Sequence, residues 1–307
     1  MHAIDKVIKP QIVGMDIANI NQLTARIQSS MVNNYSAKAA VEIAVYDLWG
    51  KLYNSPLYKM LGGGSPELET DITISVDDVD KMVADSLLAI EQGFKILKIK
   101  IGKNIDADIE RVKAIYQAVN GAGQIRLDVN QGWTAKQTVF AAKALEDAGV
   151  QLELIEQPVK SQDIDGMRYV TQRVSTPIMA DESAFSPKQV IHLIQTGAAD
   201  IINIKLMKTA GLSNAIRIAD IAAIYDVDCM IGCMLEGSIG VAAAAHLASA
   251  RASVISKIDL DGPALGQYDP VEGGVNFDHA AITLSDGPGL GIQSIKGLQE
   301  LTNGVWQ

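Results

Sequence analysis

The feature that most constrains the fold of this sequence is a repeated alternation of short β-branched runs with amphipathic helical patterns, beginning near residue 71. Each unit ends at a glycine or proline signal. This alternation predicts parallel strands joined by crossover helices. Eight runs are predicted as strands: 71–75, 95–101, 124–130, 152–157, 177–181, 200–206, 228–233 and 256–261. Eight strands in about 190 residues favour a closed barrel over an open sheet.

The segments on either side of this alternation have a different character. Residues 1–66 are predicted to be mostly helical, and the alanine-rich run that follows Ser36 has apolar residues at spacings of three and four, with Ser36 as the N-cap. Residues 262–307 contain GPALG, EGG and DGPGLG, which predict loops and short strands that leave the barrel. We therefore predict a helical part at 1–66, a barrel at 67–261 and a C-terminal segment at 262–307.

Charge and hydropathy narrow the classes of partner. The chain has 36 acidic and 26 basic residues, for a net charge of −10, which argues against nucleic acid and anionic membranes as partners. The first residues lack the layout of a signal peptide, and no apolar run is long enough to span a bilayer, so we expect a cytoplasmic protein. Cys229 and Cys233 lie in an apolar run and are predicted to be buried strand residues, not zinc ligands.

Polar side chains recur near the C-terminal ends of the predicted strands, about once per strand–helix unit. They are Lys100, Asp128, Glu156, Asp181, Lys205 and Asp259. Any one of them alone is more often a surface group, but six in period are hard to obtain from unrelated surface charges. Residues at this period occupy equivalent places around a barrel, so we expect all six to line one mouth, at the C-terminal face.

The order of these residues predicts a metal site. Asp128, Glu156 and Asp181 lie on consecutive strands and would converge, and three close carboxylates repel one another unless a cation lies among them. Mg²⁺ fits such an oxygen-rich site. A substrate carboxylate bound to this metal tolerates the extra charge of an enolate when the neighbouring α-proton is removed.

Lysines are the candidate acid/base groups for the same chemistry. The second and sixth strands face each other in an eight-stranded barrel, so Lys100 and Lys205 would oppose one another and could remove and return a proton. Lys98 lies two residues before Lys100 on the same strand face. Its charge and that of the metal would lower the pKa of a catalytic lysine.

These residues occur in motifs that identify a family resemblance. The motifs are LKIKIG (Lys98, Lys100), LDVNQGW (Asp128), IEQP (Glu156), ADES (Asp181) and NIKLMK (Lys205). With them the sequence resembles the muconate-lactonizing subgroup of the enolase superfamily, and within it the dipeptide epimerases. The resemblance covers nearly the whole chain. It implies an α/β fold, a modified TIM barrel of the (β/α)7β type with a partial α+β capping domain.

The resemblance also implies roles for the residues in these motifs. Asp128, Glu156 and Asp181 would bind Mg²⁺. Lys100 and Lys205 would be the two acid/base catalysts, and Lys98 would support the enolate.

The Asp-Leu-Asp sequence at residues 259–261 indicates which of the subgroup's reactions the chain catalyses. In dipeptide epimerases an Asp-x-Asp at this place binds the substrate's ammonium, and Asp259 and Asp261 would lie across the mouth from the metal. The implied activity is therefore an isomerase that inverts the α-carbon of the C-terminal residue of an L,L-dipeptide by 1,1-proton transfer. Thr73 and Met234 are predicted to form the adjoining pocket wall.

Two alternatives remain open at the sequence level. One is another subgroup activity, such as N-acylamino acid racemase, o-succinylbenzoate synthase or muconate cycloisomerase. The other is a metal-binding remnant without turnover, because family members normally begin with a further stretch that forms the cap's sheet and the loop over the substrate, and the present sequence has no counterpart. Ala210 also replaces a usual glycine of the family. We assign no role to Glu182 or Asp226, and we expect a homo-oligomer.

Overall fold

The computed structural model describes residues 1–298, and its centre is a parallel eight-stranded sheet rolled into a nearly closed barrel. The strands follow one another around the barrel in sequence order, and each pairs in parallel with the next. After a short strand β1 (Glu67–Glu69), the barrel strands are β2 (Ile72–Ile74), β3 (Ile96–Lys100), β4 (Gln124–Asp128), β5 (Leu154–Glu156), β6 (Ile178–Ala180), β7 (Ile201–Lys205), β8 (Asp228–Gly232) and β9 (Ile255–Asp259). All eight predicted strands are confirmed.

Helices surround the barrel or form the N-terminal part. The N-terminal part contains a π-helical turn (Ala3–Ile8) and then α1 (Lys9–Ile12), α2 (Ile20–Ser29), α3 (Tyr35–Leu52) and α4 (Leu57–Met60). The others are α5 (Val79–Glu91), α6 (Ile105–Val119), α7 (Ala135–Asp147), α8 (Ile164–Thr171), α9 (Pro187–Thr196), α10 (Leu206–Thr209), α11 (Leu212–Ile224) and α12 (Ser238–Ala250). Among residues 1–298, no helix has the length and apolar character that crossing a bilayer requires.

Local sequence signals set the ends of these helices. In α9, the hydroxyl of Ser186 accepts a hydrogen bond from the backbone N–H of Gln189, Pro187 occupies the first turn, and Gly197 follows the last turn in a left-handed conformation. Val190 and Leu193 are buried on the inner face of the helix. Local sequence signals thus account for both ends of this helix, and its apolar residues account for the face toward the barrel.

The predicted N-cap of α3 is wrong. The helix begins at Tyr35, after Asn34, whose backbone is left-handed and whose side chain makes no capping hydrogen bond. Asparagine tolerates this conformation better than most residues, so the chain enters the helix through it and Ser36 lies within the first turn. The helix then packs on the barrel, where buried Glu42 accepts hydrogen bonds from the backbone N–H and the hydroxyl of Ser213.

The C-terminal segment forms two small antiparallel sheets outside the barrel. One contains β1 with β11 (Val275–Asp278) and β12 (Ala281–Leu284), and the other pairs β10 (Val271–Gly273) with β13 (Ile292–Ile295). The first residues after 66 therefore pair with the C-terminal segment before the chain enters the barrel. The predicted domain division stays a prediction, and its last residues, 299–307, lie outside the part that the structure describes.

The barrel closes where its first strand meets its last. The backbone N–H of Asp71 donates to the carbonyl of Ile258 at 3.3 Å, and the hydroxyl of Thr70 accepts from the N–H of Leu260 at 2.8 Å. Here the backbone N–H of Thr73 also donates to Oδ2 of Asp261 at 2.8 Å. Backbone and side-chain contacts between residues 70–73 and the C-terminal end of β9 therefore join the two edges of the sheet.

The interior below the mouth has an apolar half and an ionic half. The apolar half is a cluster of buried side chains on four strands: Leu154, Met179, Ile201 and Met230. In the ionic half, the buried Arg126 guanidinium donates to Asp71 at 2.7 Å and to Glu153 at 2.5 Å. A buried arginine is tolerated because carboxylates pair with it in this way.

Candidate active site

The six predicted site residues lie at the C-terminal mouth of the barrel. Each is the last residue of a strand, except Asp181, which follows β6 directly. A cavity of about 530 Å³ opens at this mouth. Lys100, Asp181, Lys205 and Asp259 line it. Asp128 and Glu156 are buried at the ends of the neighbouring strands β4 and β5, where they are paired in register.

Lys98 occupies the centre of the mouth and is almost completely buried. Its Nζ atom lies 2.7 Å from Oδ2 of Asp259, 2.8 Å from Oε2 of Glu156 and 3.2 Å from Oδ2 of Asp128. Burial opposes the charged form, but Asp259, Glu156 and Asp128 together outweigh it and raise the pKa of Lys98 well above its usual value. This lysine is a fixed positive charge among three carboxylates.

Lys100 and Lys205 lie at the two ends of the arc of carboxylates. The Nζ atom of Lys100 is 2.6 Å from Oδ2 of Asp128, and that of Lys205 is 2.9 Å from Oδ2 of Asp181. The Lys100 side chain is 30% exposed at the cavity, whereas Lys205 is buried. Burial disfavours the charge on Lys205, but Asp181 and Glu156 outweigh this effect and raise its pKa. That these two lysines act from opposite sides of the substrate stays a prediction.

The three predicted metal ligands are buried carboxylates on successive strands. Burial and the neighbouring Asp128 raise the pKa of Glu156 to about 7. For Asp181, burial acts in the same direction but Lys208 and Lys205 outweigh it, so its pKa is lowered. Carboxylate oxygens are the ligands that Mg²⁺ prefers, so the donor chemistry of these three residues fits a divalent cation. Each of the three carboxylates is held by a lysine, and within residues 1–298 the three acidic residues whose oxygens all lie within 4.8 Å of one another are Asp71, Asp259 and Asp261.

The predicted acidic pair faces the same cavity from the far side of Lys98. Asp259 is paired with Lys98, and Asp261 is held by the backbone N–H of Thr73. Asp71, which sequence reasoning missed, lies behind this pair, and carboxylate oxygens of Asp71, Asp259 and Asp261 lie within 4.8 Å of one another. Three carboxyl groups this close could hold a cation. Asp71 stands two residues before Thr73, so the strand alternation was the signal that could have identified it.

Lys208 and Asn203 are further buried polar residues that sequence reasoning missed. Lys208 donates to a carboxylate oxygen and the backbone carbonyl of Asp181 and to the carbonyl of Asn203. The Asn203 amide in turn donates to Oε1 of Glu156 at 2.7 Å. These residues flank Lys205 in the sequence, Asn203 on the same strand face and Lys208 in the next helical turn. They hold two of the predicted metal ligands in place.

Glu182 also lies at the mouth, although no sequence pattern separates it from ordinary polar residues. It lines the cavity, and the Gln131 amide donates to it at 3.2 Å. Burial and the neighbouring Asp181 raise its pKa. Glu182 immediately follows Asp181 in the sequence, so it does not fit the spacing of about one strand–helix unit that marks the other site residues.

The upper wall of the cavity is apolar. Thr73 and Met234, the two predicted wall residues, both line it, and Met234 is 50% exposed. Phe185, Leu235 and Leu265 complete this side. The two cysteines are buried as expected, and burial raises the pKa of Cys229 to about 12, so that it is an unreactive thiol.

Two family models match the chain and together span most of it. One is described as the enolase C-terminal domain-like family and matches residues 81–295. The other is described as the N-terminal domain of mandelate racemase and muconate lactonizing enzyme and matches residues 1–62. These two ranges correspond to the barrel with its C-terminal segment and to the N-terminal helices.

Individual relatives are similar over nearly the whole chain. The L-Ala-D/L-Glu epimerase of Clostridium acetobutylicum is 49% identical over 95% of this chain and 82% of its own length. A substrate-liganded structure of the L-Ala-D/L-Glu epimerase from Bacillus subtilis superposes with a TM-score of 0.94 at 44% identity, covering 96% of this chain and 82% of that one. A dipeptide epimerase from Enterococcus faecalis, complexed with Mg and L-Leu-L-Tyr, gives 0.90 at 43% identity, with coverage of 94% and 81%.

Proposed function

The chain belongs to the mandelate racemase and muconate lactonizing enzyme family of the enolase superfamily, and we propose that it is a Mg²⁺-dependent dipeptide epimerase. In this proposal it inverts the α-carbon of the C-terminal residue of an L,L-dipeptide. Its relatives are epimerases and racemases, which are isomerases, and two of them act on dipeptides by name.

One observation carries the proposal. The Lys98 ammonium lies between Glu156, on the side of the predicted metal ligands, and Asp259, on the side of the acidic pair. A cavity with a metal-binding side and an acidic side suits a molecule with a carboxylate at one end and an ammonium at the other. A free dipeptide has both.

The residues of the mouth would divide the reaction among them. Mg²⁺, held by Asp128, Glu156 and Asp181, would supply positive charge that stabilises the developing enolate of the substrate and opposes the ammonium forms of the two lysines. Lys100 and Lys205 would act on opposite faces of the α-carbon, one removing the proton and the other returning one. Because each lysine serves one face, the configuration is inverted.

The opposite end of the substrate would bind the acidic pair. Asp259 and Asp261 would accept charge-assisted hydrogen bonds from the ammonium, and the backbone N–H of Thr73 orients Asp261 for this contact. Met234 and Leu265 on the apolar wall would contact substrate side chains. The residue assignments rest on the position of each side chain at the barrel mouth and on the motifs that carry the family resemblance.

The test is deuterium incorporation from D₂O, in the presence of MgCl₂, across a library of L,L-dipeptides and a matched set of N-acetyl and N-succinyl amino acids. An N-acylated compound leaves the acidic pair without a cation, which costs on the order of 2–5 kcal/mol, or roughly 30-fold to several-thousand-fold in specificity. We expect a clear preference for free dipeptides. Equal or better turnover of the acylated set would contradict the proposal and favour an N-acylamino acid racemase.

The cellular location and the oligomeric state of the enzyme are inferred from the sequence alone. The cytoplasmic location and the homo-oligomeric state stay predictions.

A further inference from the structure

Asp71 is a completely buried carboxyl group beneath the acidic pair. Its Oδ2 atom accepts a hydrogen bond from the Arg126 guanidinium at 2.7 Å. Its Oδ1 atom is also buried and accepts no hydrogen bond from a donor group within residues 1–298. A buried carboxylate oxygen without a donor is costly, so this atom requires a partner.

The groups that face Asp71 come from three strands and the loop after β9. Arg126 lies on β4, Lys98 on β3 and Asp259 on β9, while Asp261 follows β9. Oxygens of the three aspartates lie within 4.8 Å of one another, and Asp71 is close enough to Asp259 for a hydrogen bond between the two carboxyl groups. Two carboxyl groups form such a bond only when one of them carries a proton.

The charges of this cluster do not balance when every aspartate is ionised. Three carboxylates face two cations, Lys98 and Arg126, and the cluster is buried. Both cations are also shared with carboxylates outside the cluster, Lys98 with Glu156 and Asp128 and Arg126 with Glu153, so they offset at most two of the three aspartate charges. At least one further positive charge is needed for neutrality, and either a proton or a ligand ammonium can provide it. Of the three aspartates, Asp259 and Asp261 line the cavity and Asp71 does not, so a ligand reaches the first two, and Asp71 acts through them from beneath.

Building on the proposed function, we propose that Asp71 is a positioning residue of the ammonium site, which shares a proton with the Asp259–Asp261 pair in the ligand-free enzyme and releases it when the substrate ammonium binds. The exchange conserves charge, because one proton leaves to solvent as one ammonium enters. Burial, and after it the charge of Asp259, raises the pKa of Asp71 well above its usual value, which agrees with a proton held there. An N-acylated ligand brings no cation and cannot drive this release.

The experiment measures protons released on binding, by calorimetry in buffers of different ionisation enthalpy. The probe is L-alanyl-α-aminoisobutyrate, which has both charged ends of a dipeptide but no α-proton on its C-terminal residue, in saturating MgCl₂ at pH 6.5, where about 95% of its amino group is protonated. We expect the wild-type enzyme to release close to one proton with this probe and none with its N-acetyl derivative. In Asp71→Asn the release should be lost and the KM for free dipeptides should rise about tenfold or more, with kcat nearly unchanged.

Glu153→Gln is the matched control. Glu153 accepts a hydrogen bond from Nε of Arg126 at 2.5 Å, but Glu153 does not belong to the aspartate cluster. This variant should therefore weaken the buried ion pair and keep the wild-type proton release. A structural role of Asp71 alone would change stability in both variants and proton release in neither.

Two results would overturn the inference: proton release by Asp71→Asn equal to that of the wild type, or no difference between the free and acetylated probes in the wild type. The second measurement needs no variant, so it decides even if Asp71→Asn fails to fold. Turnover separates this inference from the proposed function. An enzyme that epimerises dipeptides without linked proton release contradicts only the role of Asp71, whereas failure to epimerise any free dipeptide contradicts the function itself.

Discussion

Lys98 and Asp259 form a buried ion pair across the barrel mouth, with 2.7 Å between Nζ and Oδ2. The same ammonium contacts Glu156 at 2.8 Å, so one lysine lies between the predicted metal ligands and the acidic pair. It lies between two acidic groups, and in the proposed function a carboxylate binds near one of them and an ammonium at the other. The predictions below test the parts of this arrangement separately.

The first prediction concerns the metal ligands. Replacing Glu156 by Gln removes the central charge of the three carboxylates but keeps an acceptor for the amide of Asn203. We expect Mg²⁺ binding and activity to be lost together in a folded barrel. Calorimetric titration with MgCl₂ measures the binding, deuterium incorporation from D₂O measures the activity, and circular dichroism measures the fold. The surface variant Glu146→Gln is the control, and normal Mg²⁺ affinity of Glu156→Gln would show that the ligand assignment is wrong.

The second prediction concerns the two lysines. Lys100→Ala and Lys205→Ala should each abolish epimerisation, because inversion needs one base on each face of the α-carbon. One of these variants should still exchange the α-proton of a single enantiomer with D₂O, because removal and return on one face need only one base. NMR follows both reactions. The exposed Lys188→Ala is the control, and epimerisation by Lys205→Ala at the parental rate would refute the two-base mechanism.

The third prediction concerns stability at acid pH. His246 is completely buried, its Nδ1 atom accepts a hydrogen bond from the backbone N–H of Tyr58, and burial lowers its pKa to about 4. Because the unfolded histidine titrates near pH 6.5, the contribution of the neutral form is complete above that pH and is lost as the pH falls toward 4. Between pH 7.5 and pH 5 the loss should be about 2 kcal/mol.

Chemical denaturation at the two pH values measures this contribution. In His246→Asn the amide oxygen can accept the bond from Tyr58, and the pH dependence should fall by the same amount. The exposed His279→Asn should keep the wild-type dependence. An unchanged pH dependence in His246→Asn would show that this histidine does not limit acid stability.

The fourth prediction concerns the backbone at Ala210. This residue has φ of 63°, a left-handed conformation that a side chain disfavours, and it ends α10 where the family usually has glycine. Ala210→Gly should raise Tm by about 1–2 °C, because relief of strain exceeds the added entropy of the unfolded chain. Ala144→Gly, within α7, should lower it. A lower Tm in Ala210→Gly would mean that the alanine is not strained.

Much of the site could be predicted because the sequence itself shows where strands end and how polar residues recur about once per strand–helix unit. Lys100, Asp128, Lys205 and Asp259 end their strands as expected. What was missed follows a second rule: a further polar residue stands two positions before several of these, on the same strand face. Arg126 precedes Asp128, Asn203 precedes Lys205 and Lys257 precedes Asp259.

These deeper residues were missed because a polar or charged side chain in the middle of a strand normally argues against burial. Their burial depends on partners from distant strands, such as Asp71 for Arg126, which a local pattern does not show. The start of α3 was missed for a different reason. A left-handed Asn34 can begin a helix without a capping hydrogen bond, and no sequence signal separates that from a serine cap two residues later.

The seam between the first and last barrel strands has a consequence for the order of folding. The contact between Thr73 and Asp261 spans 188 residues, and the one between Thr70 and Leu260 spans 190. Contacts of such large sequence separation form late, because loop-closure entropy opposes them until the intervening chain is ordered. The predicted metal ligands lie on consecutive strands and can assemble while β9 is still unpaired. The acidic pair is complete only when the barrel closes, so on a newly made chain the ability to recognise an ammonium would be acquired last.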